Sequence, residues 1–495
     1  MRKILLILFC LILGSEIYAT EYLDISWNEP EVNSQYSRFI LENKLSESKI
    51  IRMEERNNDY VWGNLLESFS NLFSNNKSNI IHHNFKKPKS TFDLSFYAGF
   101  DYLKDSDEDF YYYNYAVLLC GSINRNLSYY ANWYMGKINE SNNLSNNWVL
   151  ADTWRQPSGE GFYLDNITAK INYDSKLGDF AIGRGNFEIG SNISGSIILN
   201  DQTNDYGYFS HKIKLDNFEL TFLHATLIAD STHAEMGIDD LYYANKKLEE
   251  KHLVMHMLKW KPNKKVQIAA GEQVIYGGRE TDISYLLPHT FMRVTEHNLY
   301  NRDNVLIFAD LDWKISDSNS FYTNFIFDEL SKSKLFTNWW ANKWAFQIGD
   351  VQKLGFRDSR LALEFVAVRP WMYTHNVLTN KFSHEDRCLG YSSGSNILKY
   401  TAELNIDLHD NYGIDVQSSY SRQGSLGNDF TINYDSRPSD EASWLEGDIT
   451  DKFFIGSVLT AKLNGHNKLK IGYSYEKILE EDAENQISIS YQLIY

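Results

Sequence analysis

The sequence lacks several features that would place it in common protein classes. After its first residues, it has no run near the roughly 18 to 20 apolar residues that a membrane helix requires. It has 7 prolines and 3 cysteines, and only Cys120 and Cys388 lie outside the apolar start, so no disulfide framework is predicted. The net charge of −17 argues against nucleic acid and anionic surfaces as partners.

The N-terminus has the pattern of a secretory signal peptide. A positively charged start precedes an apolar run from Ile4 to Leu13, and Ala19 stands at a plausible cleavage point. This run is too short to span a bilayer and remain there. We therefore expect residues 1–19 to be removed.

Aromatic residues are abundant in the sequence, and apolar residues alternate with polar ones. Aromatics make up 15% of the chain and include 33 tyrosines. The last ten residues place Ser488, Ser490 and Gln492 on one face of a predicted strand and apolar side chains on the other, namely Ile487, Ile489, Tyr491, Leu493 and Tyr495. Apolar side chains toward lipid and polar ones toward a wet lumen are typical of an outer-membrane β-barrel strand.

The same alternation recurs along most of the chain. Eighteen strands of roughly ten residues, the length that a tilted strand needs to cross a bilayer, are predicted. They fall near 92–103, 110–120, 126–138, 161–173, 177–185, 205–215, 218–228, 251–260, 265–274, 304–315, 319–329, 342–352, 360–369, 398–409, 412–422, 453–463, 467–477 and 486–495.

The lengths of the connections support a barrel more strongly than any single strand does. Short, turn-like connections such as Asp216-Asn217 and Asp410-Asn411 alternate with mostly long ones, at 139–160, 186–204, 229–250, 275–303, 370–397 and 423–452. Outer-membrane barrels have short periplasmic turns and long external loops. The pattern therefore places both ends of the barrel on the periplasmic side.

Residues 20–90 differ from the predicted barrel, which occupies 91–495. Two stretches, Ser34 to Leu45 and Tyr60 to Phe73, are predicted to be helical, and the second carries an apolar stripe at helical spacing. The mostly polar stretch Ser74 to Ser90 is predicted to be a linker. Residues 20–90 are therefore either a lid on the periplasmic mouth of the barrel or a docking module for a periplasmic partner.

The predicted lumen faces carry many polar side chains. These side chains either hydrogen-bond across a wet interior or line a conduit. The examples are Asp310, Asp312, Asn324, Asp328, Glu364, Glu403, Asp407, Asp415 and Gln417.

Two of the long loops combine aromatic and polar residues. One extends from Gly271 through Arg279 to Asn298, and the other from Arg369 to Asn396. Tyr and Trp faces can stack on the C–H surfaces of sugars, while amide, carboxylate, imidazole and guanidinium groups can bind hydroxyl or anionic groups. A glycan site is one interpretation, and packing of neighbouring loops against each other is the other.

These loops also resemble a known family. The sequence is similar to the Wzi-like capsule assembly family in its predicted layout and in the motifs Tyr276-Gly-Gly-Arg279, Leu286-Leu-Pro288, Asp303-Asn304, Pro370-Trp-Met-Tyr-Thr-His-Asn376 and Leu389-Gly-Tyr-Ser-Ser-Gly-Ser-Asn396. The resemblance implies an outer-membrane lectin that attaches exported capsular polysaccharide to the cell surface. It also implies a barrel occluded by loops and by a periplasmic helical plug. In this sequence, Cys388, Tyr391 and Ser392 depart from a more Pro- and Gly-rich motif.

Metal and catalytic motifs are weak. His252 and His256 share a strand face but stand about 13 Å apart along it, too far to bind one metal ion. Glu272, Asp282 and Glu296 supply candidate carboxylates for a hydrolase, but nothing defines their separation. No cofactor and no metal site are predicted, and the protein is predicted not to be an enzyme.

The sequence thus predicts an all-β transmembrane protein, an antiparallel outer-membrane β-barrel of about 18 strands with a small N-terminal helical periplasmic segment. We expect it in the outer membrane of a Gram-negative bacterium, in contact with lipid, where it binds and anchors capsular or surface polysaccharide. A substrate-selective porin and an outer-membrane enzyme are the alternatives. The residues predicted to contact the ligand or shape the loops are Tyr276, Arg279, Trp371, Tyr373, His375 and Asn376.

Overall fold

A computed structural model describes residues 81–84, 91–104, 109–124, 126–139, 155–157, 161–229, 249–329, 332–334, 337–357, 359–385, 387–464, 467–479 and 481–494. Eighteen antiparallel strands form a closed barrel. They are β1 Thr91–Lys104, β2 Asp109–Asn124, β3 Leu127–Asn139, β4 Gly161–Ser175, β5 Gly178–Gly185, β6 Tyr206–Leu215, β7 Phe218–Ile228, β8 Glu250–Asn263, β9 Val266–Gly277, β10 Asn304–Lys314, β11 Asn319–Glu329, β12 Lys343–Lys353, β13 Arg360–Val368, β14 Ile397–His409, β15 Tyr412–Gly424, β16 Ile449–Asn464, β17 Asn467–Ile478 and β18 Glu484–Ile494.

The barrel closes because its first and last strands pair. β1 and β18 are antiparallel, with Tyr97 opposite Ile494 and Lys104 opposite Ile487. Every other strand pairs with its neighbours in the chain, so the sheet closes on itself without an unpaired edge strand. The predicted fold and strand number are confirmed, and each predicted strand end lies within four residues of the observed one.

The alternation of side chains follows the predicted faces. On β18, Ile487 and Tyr491 project outward and are 47% and 37% exposed, while Ser490 and Gln492 are fully buried inside. On β17, Ile471 and Tyr473 are exposed, while Lys470 and Ser474 are buried. The lipid-facing and lumen-facing sets were therefore assigned correctly from the period of two.

The two ends of the barrel differ in their connections. One end, which we call the short-turn rim, has connections of two to six residues at 125–126, 176–177, 216–217, 264–265, 315–318, 354–359, 410–411 and 465–466. The other end, the long-loop rim, includes connections of more than ten residues at 140–160, 186–205, 229–249, 278–303, 330–342, 369–396 and 425–448. This arrangement is the one that the sequence predicts.

Helices are few in the described residues. The single α-helix in these ranges, α1, spans Met292–Asn298. Four 3₁₀ turns span Ile283–Tyr285, Lys332–Lys334, Leu378–Asn380 and Tyr434–Ser436. Within the same ranges, no helix is both long and apolar enough to cross a membrane.

The end of the predicted linker forms part of the wall. Residues Ile81–Asn84 form a short strand antiparallel to Thr91–Leu94. It continues the edge of β1 beyond the point where β18 ends, because β18 pairs with β1 only from Tyr97 onward. The two predicted helices of residues 20–90 and the predicted signal peptide lie outside the described residues.

The connection between β5 and β6 folds into the barrel. We call residues 186–205 the plug segment. The sequence analysis places 186–204 among the external loops, but Ile197, Ile198 and Leu199 are fully buried against inward-facing residues of the wall. Burying each of these side chains contributes roughly 1.5–3 kcal/mol, so the segment is held by its own apolar residues.

Lumen side chains also hold the plug segment by hydrogen bonds. Gln273 Nε2 donates to Ile198 O at 3.0 Å, and Gln347 Nε2 donates to Gly195 O at 3.0 Å. Deeper in the barrel, Ser191 donates to Asp312, which lies two residues from the end of β10 at the short-turn rim. The polar lumen residues on this side of the barrel therefore bind a folded segment of the chain.

Candidate functional site

Three connections of the long-loop rim, at 332–342, 369–396 and 425–448, meet and hold each other by backbone contacts. Trp340 N donates to Asp440 O at 3.0 Å, and Ala442 N donates to Asn338 O at 2.7 Å. Trp371 N donates to Gly427 O at 2.8 Å, which joins the second connection to the third. Residues far apart in sequence are thereby brought to one surface.

That surface carries a group of aromatic rings beside cationic side chains, which we call the aromatic platform: Lys334, Trp339, Trp340, Tyr434 and Arg437. The ring centroids of Trp340 and Tyr434 are 4.9 Å apart, and those of Trp339 and Trp340 are 6.1 Å apart. The Arg437 guanidinium lies 3.9 Å from the Trp340 centroid, and Lys334 Nζ lies 4.6 Å from the Trp339 centroid. Both tryptophans remain partly exposed.

Ion pairs hold Arg437 of the platform in place. Arg437 binds Asp440 at 2.7 Å, and Asp435 lies 3.8 Å from the same guanidinium. Beneath Tyr434, the buried Lys343 ammonium lies 5.0 Å from the ring centroid and pairs with Asp328 at 3.0 Å. Burial raises the pKa of Tyr434 and the nearby Lys343 charge opposes this shift, so the phenol remains a proton donor. The rings are therefore held in place before any ligand arrives.

His375 and Asn376, two of the predicted site residues, lie beside this platform. Asn376 is exposed, and its carbonyl accepts a hydrogen bond of 3.1 Å from Asn433 Nδ2, next to Tyr434. His375 is partly exposed, and burial together with the Lys343 charge lowers its pKa below the ordinary range. The imidazole is therefore neutral near pH 7 and offers hydrogen bonds rather than charge.

Trp371 and Tyr373 are buried instead of exposed. Tyr373 OH donates to Ile197 O of the plug segment at 2.8 Å, and Tyr373 N donates to Asp328 at 2.9 Å. Trp371 packs against Gly427, where an added Cβ would lie 2.7 Å from the indole. Both residues have left-handed backbone, with φ of 64° and 68°, a conformation that the surrounding contacts must impose.

Tyr276 and Arg279 hold a different loop. Arg279 forms two hydrogen bonds with Asp303, at 2.8 and 2.6 Å, and its guanidinium lies 4.7 Å from the Tyr276 ring centroid. Tyr285 OH also donates to Asp303, at 2.8 Å. Tyr276 is fully buried. The structure thus places these two residues away from the aromatic platform.

The aromatic platform itself was not predicted. Trp339 and Trp340 follow each other in the connection between β11 and β12. In a wall strand, adjacent side chains point to opposite faces. Two adjacent tryptophans outside the predicted strands were therefore a signal for an aromatic surface on the rim. Tyr434 and Arg437 gave no such signal, because only the folded loops bring them to Trp340.

A cavity of about 560 Å³ lies inside the barrel toward the short-turn rim. The plug segment forms one side of it through Glu188, Ile189 and Ser191. The charged lining residues from the wall include Lys170, Lys212, Lys259, Glu219 and Asp310. This space is the part of the lumen that would serve a transport function.

Comparisons with known proteins identify the fold of the chain but not a family to which it belongs. No family model matches the sequence, and no curated protein matches it. Among solved structures, the chain is similar to Escherichia coli Wzi, described as an outer-membrane, carbohydrate-binding β-barrel involved in group 1 capsule assembly, with a TM-score of 0.53 and 12% identity over 81% of this chain and 84% of that one. It also matches Pseudomonas aeruginosa OccD3 (TM-score 0.47, 10% identity, 85% and 94% covered) and OprD (0.46, 8%, 81% and 94%). The likeness to Wzi shows that the chain has the fold of an outer-membrane β-barrel.

Proposed function

We propose that the protein binds and anchors capsular or other surface polysaccharide at the long-loop rim, in the outer membrane of a Gram-negative bacterium. The aromatic platform is the observation that carries this proposal. Fixed, partly exposed indole faces beside Asn376 and neutral His375 suit sugar rings, which present C–H surfaces and hydroxyl groups together. The carbohydrate binding described for Wzi and the motifs of the two predicted loops point the same way, and we propose a relationship to the Wzi-like family.

The predicted site residues divide into two roles under this proposal. Asn376 and His375 contact the ligand together with Trp339, Trp340 and Tyr434. Trp371 and Tyr373 shape the loop behind this surface, and Tyr276 and Arg279 shape the loop at 278–303. Their burial and hydrogen bonds support shaping roles, which the sequence analysis had included.

We also propose that binding involves no chemical turnover. The three carboxylates considered for catalysis are engaged in the structure. Glu272 accepts from Met292 N at 2.6 Å, Asp282 accepts from Ser284 N at 3.0 Å, and Glu296 is buried beside Arg293 at 3.1 Å. Each has a structural partner that explains its position.

A binding measurement tests the proposed function. Trp340→Ala should weaken binding of polysaccharide purified from the producing bacterium by roughly thirtyfold, because truncating a central aromatic contact costs about 2 kcal/mol. Phe291→Ala is the matched control, since it removes an aromatic side chain that is 73% exposed outside the platform. Gel assays first establish that both barrels are folded. Calorimetry then measures the affinity of each variant for the polysaccharide. Equal affinities for the two variants would refute the proposal.

A substrate-selective channel is the second candidate. The cavity of about 560 Å³ with its lysine and carboxylate lining favours it. The plug segment opposes it, because its buried core occupies the lumen beside β7 to β13. Single-channel recording of the full-length protein separates the two: steady, ion-selective openings would support a channel, and a closed barrel would support the binding function.

A further inference from the structure

One patch of the outer wall is covered by protein. On β7 to β10, the inward positions Leu223, Leu253, Ile275 and Leu306 pack with the plug segment. The alternate positions must therefore face outward. Outside the covered patch, these outward positions are exposed, as Leu258 and Ile307 are at 50% and 44%. Within the patch they are at most 4% exposed, at Phe222, Val254, Val274, Tyr276 and Val305.

The cover comes from the connection between β9 and β10, residues 278–303, which we call the outer loop. Tyr285, Met292 and Leu299 of this loop form a cluster with the covered wall residues. The helix α1 lies against β9 and β10. Arg279 fastens the beginning of the loop to Asp303 at its end. The loop therefore folds back over the outside of the barrel and does not stand above the rim.

Polar groups of the wall lie beneath the outer loop. His256 and Glu272 face outward and pair at 3.3 Å, and Glu272 also accepts the hydrogen bond from Met292 N. His224 shares a hydrogen bond of 3.1 Å with Tyr276 OH. Such groups would be costly against lipid without partners. The outer loop provides partners and separates them from the surroundings.

The depth of these contacts places the outer loop beside the membrane. Glu272 lies five residues before Gly277, where β9 ends at the long-loop rim. This corresponds to about 17 Å along the strand, or about 13 Å along the barrel axis at a tilt near 40°. Since the apolar band of such barrels is about 25 Å tall, the start of α1 reaches the level of the outer half of the bilayer.

The outer loop exposes several large apolar side chains. Ile283 is 76% exposed, Leu287 47%, Phe291 73% and Val294 57%. Arg293 and His297, with side chains 40% and 55% exposed, stand on the same helix and can extend toward headgroups.

We propose that the outer loop is a membrane-embedded element whose apolar side chains enter the acyl region of the outer leaflet. Its partner is lipid, because the loop lies on the lipid-facing wall, at membrane depth, and exposes large apolar side chains there. An interfacial element with an apolar face and cationic residues at its border behaves in this way. Water contact and contact with a second copy of the chain are the other possible environments.

Spin labelling distinguishes these environments. Phe291→Cys and, separately, Val294→Cys are labelled with a nitroxide in the full-length protein, reconstituted in phosphatidylethanolamine–phosphatidylglycerol vesicles. Collision with dissolved oxygen reports lipid, and collision with a water-soluble nickel chelate reports water. Both positions should resemble Ile307→Cys on the wall, with an oxygen-to-nickel accessibility ratio several-fold above that of Asp440→Cys on the long-loop rim.

The controls define the result. Unsubstituted protein, treated with the same label, corrects for any reaction of the buried Cys120 and Cys388. Nickel accessibility at Phe291 and Val294 equal to that at Asp440 would overturn the proposal in favour of a water-exposed loop. Protection from both reagents would also overturn it, in favour of a contact between protein surfaces. Neither outcome depends on whether the aromatic platform binds polysaccharide.

Discussion

Glu364 shows how one buried carboxylate can hold a whole segment. It accepts hydrogen bonds from Ile193 N at 2.9 Å and Ser194 N at 3.0 Å, and from the Ser194 hydroxyl. From the wall, Tyr322 OH donates at 2.6 Å and Gln347 Nε2 at 2.8 Å. Five donors around one carboxylate leave its charge well satisfied. The apex of the plug segment is thus fastened to β13.

Replacing this carboxylate should loosen the plug segment. Glu364→Gln keeps the shape but turns two N–H groups toward surrounding donors, and losing charged hydrogen bonds of this kind costs about 1.5–3 kcal/mol. We expect the barrel to fold and to show channel openings that the parent protein lacks or shows rarely. Recording in planar bilayers measures this, with the exposed Glu441→Gln as control. Identical traces for the parent and both variants would show that Glu364 does not hold the plug.

At the scale of the element, the plug segment contains a titratable group without a full set of partners. Asp201 is 4% exposed, and its Oδ1 has no hydrogen-bond partner among the described residues. Burial, together with the nearby Asp205 charge, raises the pKa of Asp201 to about 7. The docked plug therefore holds a proton on Asp201 that a released plug would lose.

This difference predicts a pH dependence for the plug segment. Between about pH 4 and pH 7 the docked form keeps the proton and the released form gives it up, so docking is most favourable at low pH and weakens as pH rises. The rare openings of the parent protein should accordingly become more frequent from pH 5 to pH 7.5. Asp201→Asn cannot titrate and should flatten this dependence in the same recordings. A parent protein whose openings do not change with pH would contradict the assignment.

At the scale of the whole molecule, the barrel has a lipid-facing wall and a water-facing rim that carry similar residues. Ile471 on β17 and Ile432 in the connection 425–448 are 44% and 48% exposed. The exposed fraction of the side chain does not distinguish the two positions. Their surroundings differ in an outer membrane, where Ile471 would contact lipid and Ile432 would contact water.

Matched substitutions test this difference. Ile471→Arg should lower the free energy of unfolding by about 2–4 kcal/mol, because the guanidinium would enter the apolar band. Ile432→Arg should change it by less than about 0.5 kcal/mol, as expected for a surface substitution. Denaturant titration in lipid vesicles, followed by tryptophan fluorescence, measures both. Equal effects would place the β17 position outside the membrane.

The strands and the site were predictable to different degrees. All eighteen strands were predicted, and the two faces followed from local alternation where a strand alternates cleanly, as at Ile487 and Ser490. Of the six predicted site residues, only His375 and Asn376 lie beside the aromatic platform. Trp371 and Tyr373 belong to the same predicted loop of aromatic and polar residues as His375 and Asn376, but they are buried. Loop aromatics fill space between loops as readily as they face a ligand.

The sequence by itself determined the barrel: its strand number, its two faces and its two rims. These properties are local, since lipid on one side and a wet lumen on the other impose a period of two on every strand. The tertiary structure alone decided where the loops go. It placed 186–205 inside the wall and 278–303 outside it, and it joined Trp340 to Tyr434. Such contacts depend on residues distant in the chain, and no periodic pattern encodes them.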